Sequence, residues 1–385
     1  MRILLVNANG ADVSAGGAER YVADLGSGLR ERGYDVRLLA AAPARDDALA
    51  AETIVLHRRD WRDSVARRAA NRLGELRRRP SAEVIRAIEA VAPDVVHTNT
   101  LPGITTGIWD ACARRGIPVV HTLHDFYLLC LRTSLMRRDG RPCSTRPLVC
   151  EWRMRGVADD AGAVRHVIGV SRFIVDRHRE VLSAAAPHVV RHPVPFVDVV
   201  SPPPRAPAVI GYLGRLESEK GAGLLAEAAP ELRRGGFSIL VAGDGRARRR
   251  VEDTSGIEYV GVVHGAAKER FLARCDVGIV PSLWPEPGGP PYTVLEWLAA
   301  GRPVLVTTRG GLAEAGALFA GVRPFEPTVE ALVRAATAIR SERPAATPFS
   351  EGDADADRAR WLDEHEQVYV AARAGREAAV RTAAG

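Results

Sequence analysis

The sequence lacks the features of several classes of protein. No apolar run approaches the roughly 18 residues of a membrane span, and the opening MRILLVNANG is too short an apolar stretch for a signal peptide, so we expect a cytoplasmic protein. Only 5% of residues are aromatic, whereas binding of single-stranded nucleic acid requires aromatic rings interleaved with arginine. No predicted strand runs into G-x-G-x-x-G, which argues against a nicotinamide-dependent dehydrogenase.

Cysteine is also scarce, with five residues in a chain of 385. Cys130, Cys143 and Cys150 fall in one segment between a predicted strand and a predicted helix, but they form no C-x-x-C pair. Ordinary loop and core thiols are therefore favoured over a zinc site. The segments that carry the other candidate residues contain no D-x-D motif, so no bound metal is expected.

Positive charge is in excess: the formal net charge is +6 and the pI is near 9.3, which suggests an anionic partner. Much of this excess lies in residues 61–79, where a helical stripe of apolar side chains runs beside several arginines. The pattern is typical of a helix lying on an anionic membrane, so peripheral contact with the inner face of the membrane is one hypothesis. A solvated arginine-rich helix is the other interpretation.

The organisation of the chain predicts an α/β fold. A length of 385 residues accommodates two domains of roughly 100–200 residues each. Apolar strands alternate with helical periodicity on both sides of residues 192–208, a segment with six prolines that predicts a linker between domains 1–191 and 209–350. Alternation of this kind predicts parallel, doubly wound sheets. The predicted strands are Ile3–Asn7, Val36–Ala40, Val95–His97, Val119–Leu123, Val167–Val170, Val209–Leu213, Ser238–Ala242, Glu258–Val260, Val277–Val280 and Val304–Thr307.

The segment GYLGRLESEKG, residues 211–221, predicts a phosphate site. A short apolar strand opens into a loop that presents Arg215 and Lys220 where the next helix begins. In an open α/β sheet, ligands bind at the carboxyl ends of the strands, and a helix N-terminus adds backbone N–H groups and partial positive charge. Two exposed cations in a solvated loop are the alternative interpretation.

The segment PSLWPEPGGPPYTVLEWLAAG, residues 281–301, also leads from a predicted strand into a predicted helix, but it carries glycines and carboxylates instead of cations. A buried strand runs into a loop that contains Glu286, Gly288 and Gly289. Pro290-Pro291 then opens a predicted helix that carries Glu296 and ends before Gly301. Glycines permit close approach of a ligand, and carboxylates bind sugar hydroxyls. Glycines that serve only a turn are the alternative.

The N-terminal half carries two further candidate features. Gly16 and Gly17 precede a helix after the first strand, a pattern that alone indicates no more than a turn. His124 and Asp125 follow directly on the strand Val119–Leu123, where a histidine can transfer a proton or donate to an oxygen near neutral pH. His121 faces the opposite way by strand alternation, which favours a structural role.

Together these segments resemble the retaining family 4 glycosyltransferases of GT-B fold, which carry the elements G-R-L-x-x-x-K-G and E-P-x-G-x-x-x-x-E. The family separates its two glutamates by seven residues, whereas nine lie between them here, which leaves the role of the first glutamate open. The resemblance implies two Rossmann-like domains facing across a cleft, with the helix from residue 356 to 385 packing back on the N-terminal domain. The site residues it implies are Arg215 and Lys220 for the pyrophosphate, Glu286 for the donor sugar, Glu296 for the ribose, Gly16, Gly17, Gly288, Gly289, Tyr292 and Thr293 for donor binding, and His124 for the transferred sugar.

The implied activity is transfer of a sugar, with retention, from a nucleoside diphosphate sugar to a hydroxyl acceptor. The acceptor could be a small molecule, a lipid-linked sugar or a polysaccharide, and UDP is the expected nucleotide. Neither a cofactor nor a metal is expected. Two alternatives stay open, a GT-B sugar-nucleotide epimerase and a basic, non-catalytic nucleic-acid-binding protein.

Overall fold

The computed structural model describes residues 1–11, 16–43, 49–56, 78–137, 140–143, 145–199, 209–342 and 348–384. Nearly all of the basic segment proposed for membrane contact (residues 61–77) and most of the predicted linker (residues 200–208) lie outside these ranges. The chain divides into two compact units. The N-terminal unit comprises residues 1–135, 143–190 and 360–385, and the C-terminal unit comprises residues 136–142 and 191–359.

A parallel sheet of seven strands forms the centre of the N-terminal unit. The strands are β1 (Arg2–Asn9), β2 (Asp35–Ala42), β3 (Thr53–Val55), β4 (Val95–Thr98), β5 (Val119–Leu123), β6 (Val164–Gly169) and β7 (Ala186–Val189). Their order across the sheet is β3-β2-β1-β4-β5-β6-β7. The helices described between them are α1 (Gly17–Glu31), α2 (Ala82–Val91), α3 (Gly107–Ala113), α4 (Leu148–Ala161) and α5 (Arg172–His178).

A second parallel sheet, of six strands, forms the centre of the C-terminal unit. The strands are β8 (Val209–Leu213), β9 (Ser238–Ala242), β10 (Ile257–Tyr259), β11 (Val277–Val280), β12 (Val304–Thr307) and β13 (Val322–Phe325). Their order is β10-β9-β8-β11-β12-β13. The helices described in this part of the chain are α6 (Ala222–Arg234), α7 (Arg248–Glu252), α8 (Gly265–Arg274), α9 (Tyr292–Ala299), α10 (Leu312–Leu318), α11 (Val329–Glu342) and α12 (Glu351–Ala384).

The two parallel, Rossmann-like sheets confirm the predicted fold class. Every predicted strand is present, with shifts of up to three residues at its ends. The strands absent from the prediction are β3, β7 and β13, each at the edge of its sheet. Edge strands are partly exposed and lack the continuous apolar run by which buried parallel strands are recognised. None of the helices described is both long and apolar enough to cross a membrane.

Close packing on one face of the C-terminal sheet fixes α9. The Trp297 side chain is fully buried between this helix and strands β8 and β11. Both strands have a glycine beneath the indole: a Cβ at Gly211 would lie 2.5 Å from Trp297, and a Cβ at Gly278 would lie 2.3 Å from it. The position of α9 over these two strands therefore depends on the absence of side chains there.

Helix α12 contributes buried polar groups to the N-terminal unit. The Tyr21 hydroxyl hydrogen-bonds Nε2 of His365, and the Tyr21 ring packs edge-on against Trp361 at a centroid distance of 5.1 Å. The Tyr369 hydroxyl lies 2.7 Å from Nδ1 of His97. Desolvation is the largest cause of a raised pKa at Tyr21 and Tyr369 and of a lowered pKa at His97 and His365, so these groups are neutral in the folded chain.

Burial also lowers the pKa of His178 from 6.5 to about 4. Its Nδ1 donates to the Ile174 carbonyl at 2.8 Å, and its ring stacks on Phe126 with centroids 6.0 Å apart. Nε2 is buried and has no hydrogen-bond partner among the residues that the structure describes. A proton added at Nε2 would place an unpaired charge in the core, so protonation opposes folding.

The first prediction concerns the packing beneath Trp297. The substitution Gly278→Ala should lower the free energy of unfolding of the C-terminal unit by about 1–3 kcal/mol, because the added methyl overlaps the buried indole. Urea denaturation would measure the change. Gly223→Ala is the matched control in the same unit, since its nearest neighbour is the mobile end of Arg250 at 3.1 Å. Equal stability of Gly278→Ala and wild type would refute this account of the packing.

The second prediction concerns pH. Because the folded pKa of His178 is depressed, its contribution to stability is complete above the unfolded pKa of about 6.5 and declines as pH falls towards 4. A histidine with this pKa shift should lower the free energy of unfolding by about 2 kcal/mol when the pH falls from 7 to 5. In urea denaturation, His178→Gln should reduce the pH dependence by that amount. An unchanged pH dependence in His178→Gln would show that this group does not titrate on unfolding.

Candidate active site

Each sheet reverses its strand order at one pair of neighbouring strands. The reversal lies between β1 and β4 in the N-terminal unit and between β8 and β11 in the C-terminal unit. The crevice outside the carboxyl ends of two such strands is the usual ligand site of an open α/β sheet. The candidate residues of both halves follow these ends or lie beside them.

In the C-terminal unit, the loops after β8 and β11 bring Lys220 and Glu286 together. Lys220 Nζ donates to Glu286 Oε1 at 2.6 Å, and Ser282 Oγ donates to the same oxygen at 2.5 Å. The ammonium also lies 4.5 Å from the centroid of the Trp284 ring. The Glu286 side chain is only 5% exposed and that of Lys220 is 22% exposed, so the cation links a buried carboxylate to solvent.

Backbone contacts hold these two loops against each other. Gly221, which precedes α6, has φ +79°, and a Cβ there would lie 1.8 Å from the Pro281 carbonyl oxygen. The amides of Leu283 and Trp284 donate to the Glu219 carbonyl at 2.9 and 3.0 Å. A side chain at residue 221 would separate the loops, so the lysine and the carboxylate meet because this position is glycine.

Arg215 and Lys220, predicted as a pair, share the loop after β8 but have different surroundings. The Tyr212 hydroxyl donates to the Arg215 carbonyl at 2.6 Å, which fixes the backbone there. The Arg215 side chain is exposed and forms no ion pair with any residue that the structure describes. One cation is therefore held by a carboxylate and the other extends into solvent.

The longer spacing between the two glutamates is accommodated by a packed loop at residues 287–291. The Glu286 carbonyl accepts from the Gly311 amide at 2.7 Å, and the Gly289 carbonyl accepts from Arg191 Nε at 3.0 Å. The Tyr292 ring stacks on His192 at a centroid distance of 4.2 Å. Gly288 and Gly289 are buried, and Thr293 is half-buried. The predicted helix starts two residues too early, because α9 begins at Tyr292, after both prolines.

Glu296 lies in the middle of α9 and pairs with a residue that the sequence analysis did not identify. Lys268 Nζ, from the first turn of α8, donates to Glu296 Oε1 at 2.8 Å. The Glu296 side chain is 9% exposed. No cation lies between the two glutamates in the sequence, yet each is neutralised by a lysine from elsewhere in the chain. A compositional signal was available, since Lys220 and Lys268 are the only two lysines among 53 basic residues.

In the N-terminal unit, His124 follows β5 and contacts the end of β4. Its Nε2 lies 3.0 Å from Asn99 Oδ1, and its ring packs edge-on against Tyr21 at a centroid distance of 4.6 Å. Asp125 accepts from the Tyr127 amide at 2.7 Å, and burial raises the pKa of this carboxyl to about 6. Asp125 is therefore able to hold or release a proton close to neutral pH.

Gly16 and Gly17 lie at the start of α1, beside the end of β1. Asn9 Nδ2 donates to Glu19 Oε1 at 2.8 Å, which ties the end of the strand to the first turn of the helix. A Cβ at Gly16 would lie 2.7 Å from Glu19 Oε2. The intervening residues 12–15 lie outside the described part of the chain.

The three cysteines that fall in one segment of the sequence differ in their exposure. Cys130 and Cys150 are buried, and Cys143 is half-buried. Among the residues described, no three histidine, cysteine or acidic side chains are grouped as metal ligands would be. His121, expected to be structural, is buried and shares a 2.9 Å hydrogen bond with the Thr98 hydroxyl.

Two protein families match most of the chain. Residues 15–198 match the family described as Glycosyltransferase Family 4. Residues 207–342 match the family described as Glycosyl transferases group 1. The boundary between these matches falls within the proline-rich segment, and the second match contains both lysine–glutamate pairs.

Known proteins are similar to this chain over more than half of its length. An uncharacterised 42.6 kDa protein of the cps region of Klebsiella pneumoniae is 25% identical over 58% of this chain, and the match spans 60% of that protein. The phosphatidyl-myo-inositol mannosyltransferase of Mycobacterium leprae is 25% identical over 80% of this chain and 78% of its own length.

Solved structures show the same fold. Sucrose-phosphate synthase from Thermosynechococcus elongatus superposes with a TM-score of 0.69 at 18% identity, covering 100% of both chains. Anabaena HepE, in complex with UDP and glucose, superposes with a TM-score of 0.61 at 16% identity, covering 99% of this chain and 100% of its own. The chain therefore belongs to the GT-B glycosyltransferases, with a Glycosyltransferase Family 4 region followed by a Glycosyl transferases group 1 region.

Proposed function

We propose that the protein transfers a sugar from a nucleoside diphosphate sugar to a hydroxyl acceptor, with retention of configuration and without a divalent metal. The observation that carries this proposal is the contact between Lys220 and Glu286 at the strand-order reversal of the C-terminal sheet. It places a partly exposed cation and a nearly buried carboxylate side by side. A sugar diphosphate needs both, a cation for its phosphates and an acceptor for its hydroxyls.

In this proposal, the diphosphate binds along the loop after β8. Arg215 is exposed there, and Lys220 is exposed enough to exchange part of its contact with Glu286 for a phosphate oxygen. Fixed cations of this kind stabilise the charge that grows on a leaving diphosphate, the task that a metal ion performs in other enzymes. Backbone amides at the start of α9 would add to this charge stabilisation.

Glu286 and Glu296 would bind hydroxyl groups of the donor, Glu286 on the sugar and Glu296 on the ribose. Each carboxylate has one oxygen in contact with a lysine. An ionised carboxylate accepts about four hydrogen bonds through its two oxygens, so it can bind hydroxyls and retain its lysine. The similar Anabaena HepE structure contains UDP and glucose, which supports a UDP-sugar as the first donor to test.

The retaining step would proceed on one face of the sugar. The bond from the anomeric carbon to the diphosphate breaks, a bond to the acceptor oxygen forms on the same face, and the acceptor proton passes to the departing phosphate. His124 would hydrogen-bond the transferred sugar, as the resemblance implies. The raised pKa of Asp125 makes it the residue to examine if a protein base is used instead.

The third prediction tests the site that carries the proposal. Lys220→Gln and Arg215→Gln should each reduce transfer from the preferred donor by roughly tenfold or more, because charge-assisted contacts to a leaving oxyanion are worth on the order of 2–4 kcal/mol. Glu286→Gln should reduce turnover more than it weakens binding of the free nucleoside diphosphate, which has no sugar to hold. Initial rates and calorimetric titration would separate these effects.

A matched control comes from the loop after β9, which contacts the loop after β8. Arg246 forms a 2.7 Å ion pair with Glu217, and its side chain is 83% exposed. Arg246→Gln therefore removes a cation and breaks an ion pair near the site, and it should leave turnover unchanged. Wild-type turnover in both Lys220→Gln and Arg215→Gln would reject the phosphate assignment.

The fourth prediction concerns stereochemistry and metal. The product should have the anomeric configuration of the donor, as measured by the proton coupling constant of the anomeric centre in NMR, and EDTA should leave the rate unchanged. If the product is inverted and Asp125→Asn abolishes its formation, Asp125 is the base and the proposal of retention is overturned. A rate that EDTA abolishes and manganese restores would overturn metal independence.

A further inference from the structure

Two buried asparagines lie at the strand-order reversal of the N-terminal sheet. Asn7 is near the end of β1, and Asn99 directly follows β4. Their exposed fractions are 0% and 2%, so each amide needs hydrogen-bond partners within the protein. Asn7 finds them in the adjoining backbone: its Oδ1 accepts from the Thr100 amide at 3.1 Å, and its Nδ2 donates to the Asn9 carbonyl at 3.0 Å. Asn7 therefore joins the ends of two strands.

Asn99 instead makes its shortest side-chain contact with His124. The distance from its Oδ1 to Nε2 of His124 is 3.0 Å. Its Nδ2 faces the carbonyl oxygens of Val6 and His97 at 3.4 and 3.5 Å. Because a carbonyl oxygen can only accept a hydrogen bond, the amide nitrogen must lie on that side, and the amide oxygen must face the imidazole. The contacts of Asn99 therefore decide which end of its amide meets His124.

This orientation determines which imidazole nitrogen carries the proton. The amide oxygen of Asn99 accepts hydrogen bonds and cannot donate them, so Nε2 of His124 must be the donor. Nε2 keeps its proton in both the neutral and the charged imidazole, and any proton that His124 gains or loses is exchanged at Nδ1. A half-turn of the ring about the Cβ–Cγ bond would place Cε1 against Oδ1 and break the hydrogen bond. Asn99 thus fixes both the tautomer and the orientation of the ring.

Tyr21 restrains the same ring from a second direction. Its ring packs edge-on against that of His124, with centroids 4.6 Å apart and an interplanar angle of 72°. Tyr21 is fully buried, and its hydroxyl hydrogen-bonds Nε2 of His365 and lies 3.3 Å from Oγ1 of Thr122. A buried side chain whose far end belongs to a hydrogen-bond network is held in place. The imidazole is therefore ordered by the folded chain before any substrate binds.

We propose that Asn99 is the positioning residue for His124 and that it keeps the proton of this imidazole on Nε2 during sugar transfer. The inference rests on the proposed function, in which His124 hydrogen-bonds the transferred sugar. Without the amide oxygen, the ring would divide between two tautomers and two orientations, and only a fraction of the molecules would present the productive one. A small displacement of a group in contact with the substrate lowers turnover strongly, because alignment supplies much of the rate.

The fifth prediction concerns the tautomer and needs no substrate. Long-range 1H–15N NMR of the intact protein, labelled with 15N-histidine, distinguishes an Nε2–H from an Nδ1–H imidazole. At about pH 8, where an ordinary imidazole is neutral, His124 should show the Nε2–H pattern, and its signal is assigned among the ten histidines by its loss in His124→Gln. In Asn99→Ala both tautomers should be populated. A wild-type Nδ1–H pattern, or an unchanged pattern in Asn99→Ala, would overturn the inference.

The same spectrum contains internal references. Nδ1 of His178 donates to the Ile174 carbonyl at 2.8 Å, and Nδ1 of His365 donates to the Trp361 carbonyl at 2.6 Å. Burial lowers the pKa of both histidines to about 4, so both should show the neutral Nδ1–H pattern and keep it in Asn99→Ala. If all three patterns change, the substitution has disturbed the whole unit, and Asn99→Leu, which fills the space without an acceptor, decides the question in its place.

Kinetics link the tautomer to turnover. With the preferred donor, Asn99→Ala should lower kcat by roughly tenfold and leave the donor KM unchanged, since it disturbs a group that acts on the transferred sugar and not the binding of the diphosphate. Asn7→Ala is the matched control, because it removes an equally buried amide that bonds the backbone at the neighbouring strand end. It should keep the wild-type tautomer of His124 and the wild-type kcat. An equal fall of kcat in the two variants would reduce Asn99 to a structural role.

Failure of the proposed function gives a different result. If no nucleoside diphosphate sugar serves as a donor for the wild-type protein, the proposed function is wrong, and the role of Asn99 in transfer is rejected with it, whatever the NMR spectrum shows. If transfer occurs and the tautomer of His124 changes in Asn99→Ala without any loss of kcat, the proposed function survives and only the positioning role is rejected.

Discussion

Burial of two carboxylates is the constraint on which the candidate donor site depends. A carboxylate taken out of water needs a cation and hydrogen-bond donors beside it, because the free energy of desolvating an isolated charge is far larger than apolar surroundings can offset. Glu286 meets this need through Lys220 and Ser282, and Glu296 meets it through Lys268. The same requirement brings the loops after β8 and β11, and the helices α8 and α9, into fixed contact.

The fold was predictable from the sequence because its buried strands are continuous apolar runs between helical segments. Strand β1 illustrates this, since Ile3, Leu4, Leu5 and Val6 are all fully buried. Edge strands such as β13 were not predicted, because Val322–Phe325 contains an arginine and a proline and is buried only at its ends. The start of α9 was misplaced because Pro-Pro is compatible with a first helical turn and with the extended segment that precedes one.

The candidate site was predictable to the extent that it follows strand ends. This rule alone places Arg215, Lys220 and Glu286 in the loops after β8 and β11. Pairing was not predictable, because Lys220 meets a carboxylate 66 residues further along the chain and Lys268 meets one 28 residues further along. Such contacts depend on which loops and helices the fold brings together, and local periodicity carries no information about that.

The loop at residues 287–291 lies between two fixed ends. Ser282 and Lys220 hold Glu286 at one end, and Trp297 holds α9 over Gly211 and Gly278 at the other. Residues inserted between these anchors must therefore bulge locally and leave the anchors in register. An insertion or deletion in this loop would therefore change the surface beside Glu286 while Glu286 and α9 keep their positions.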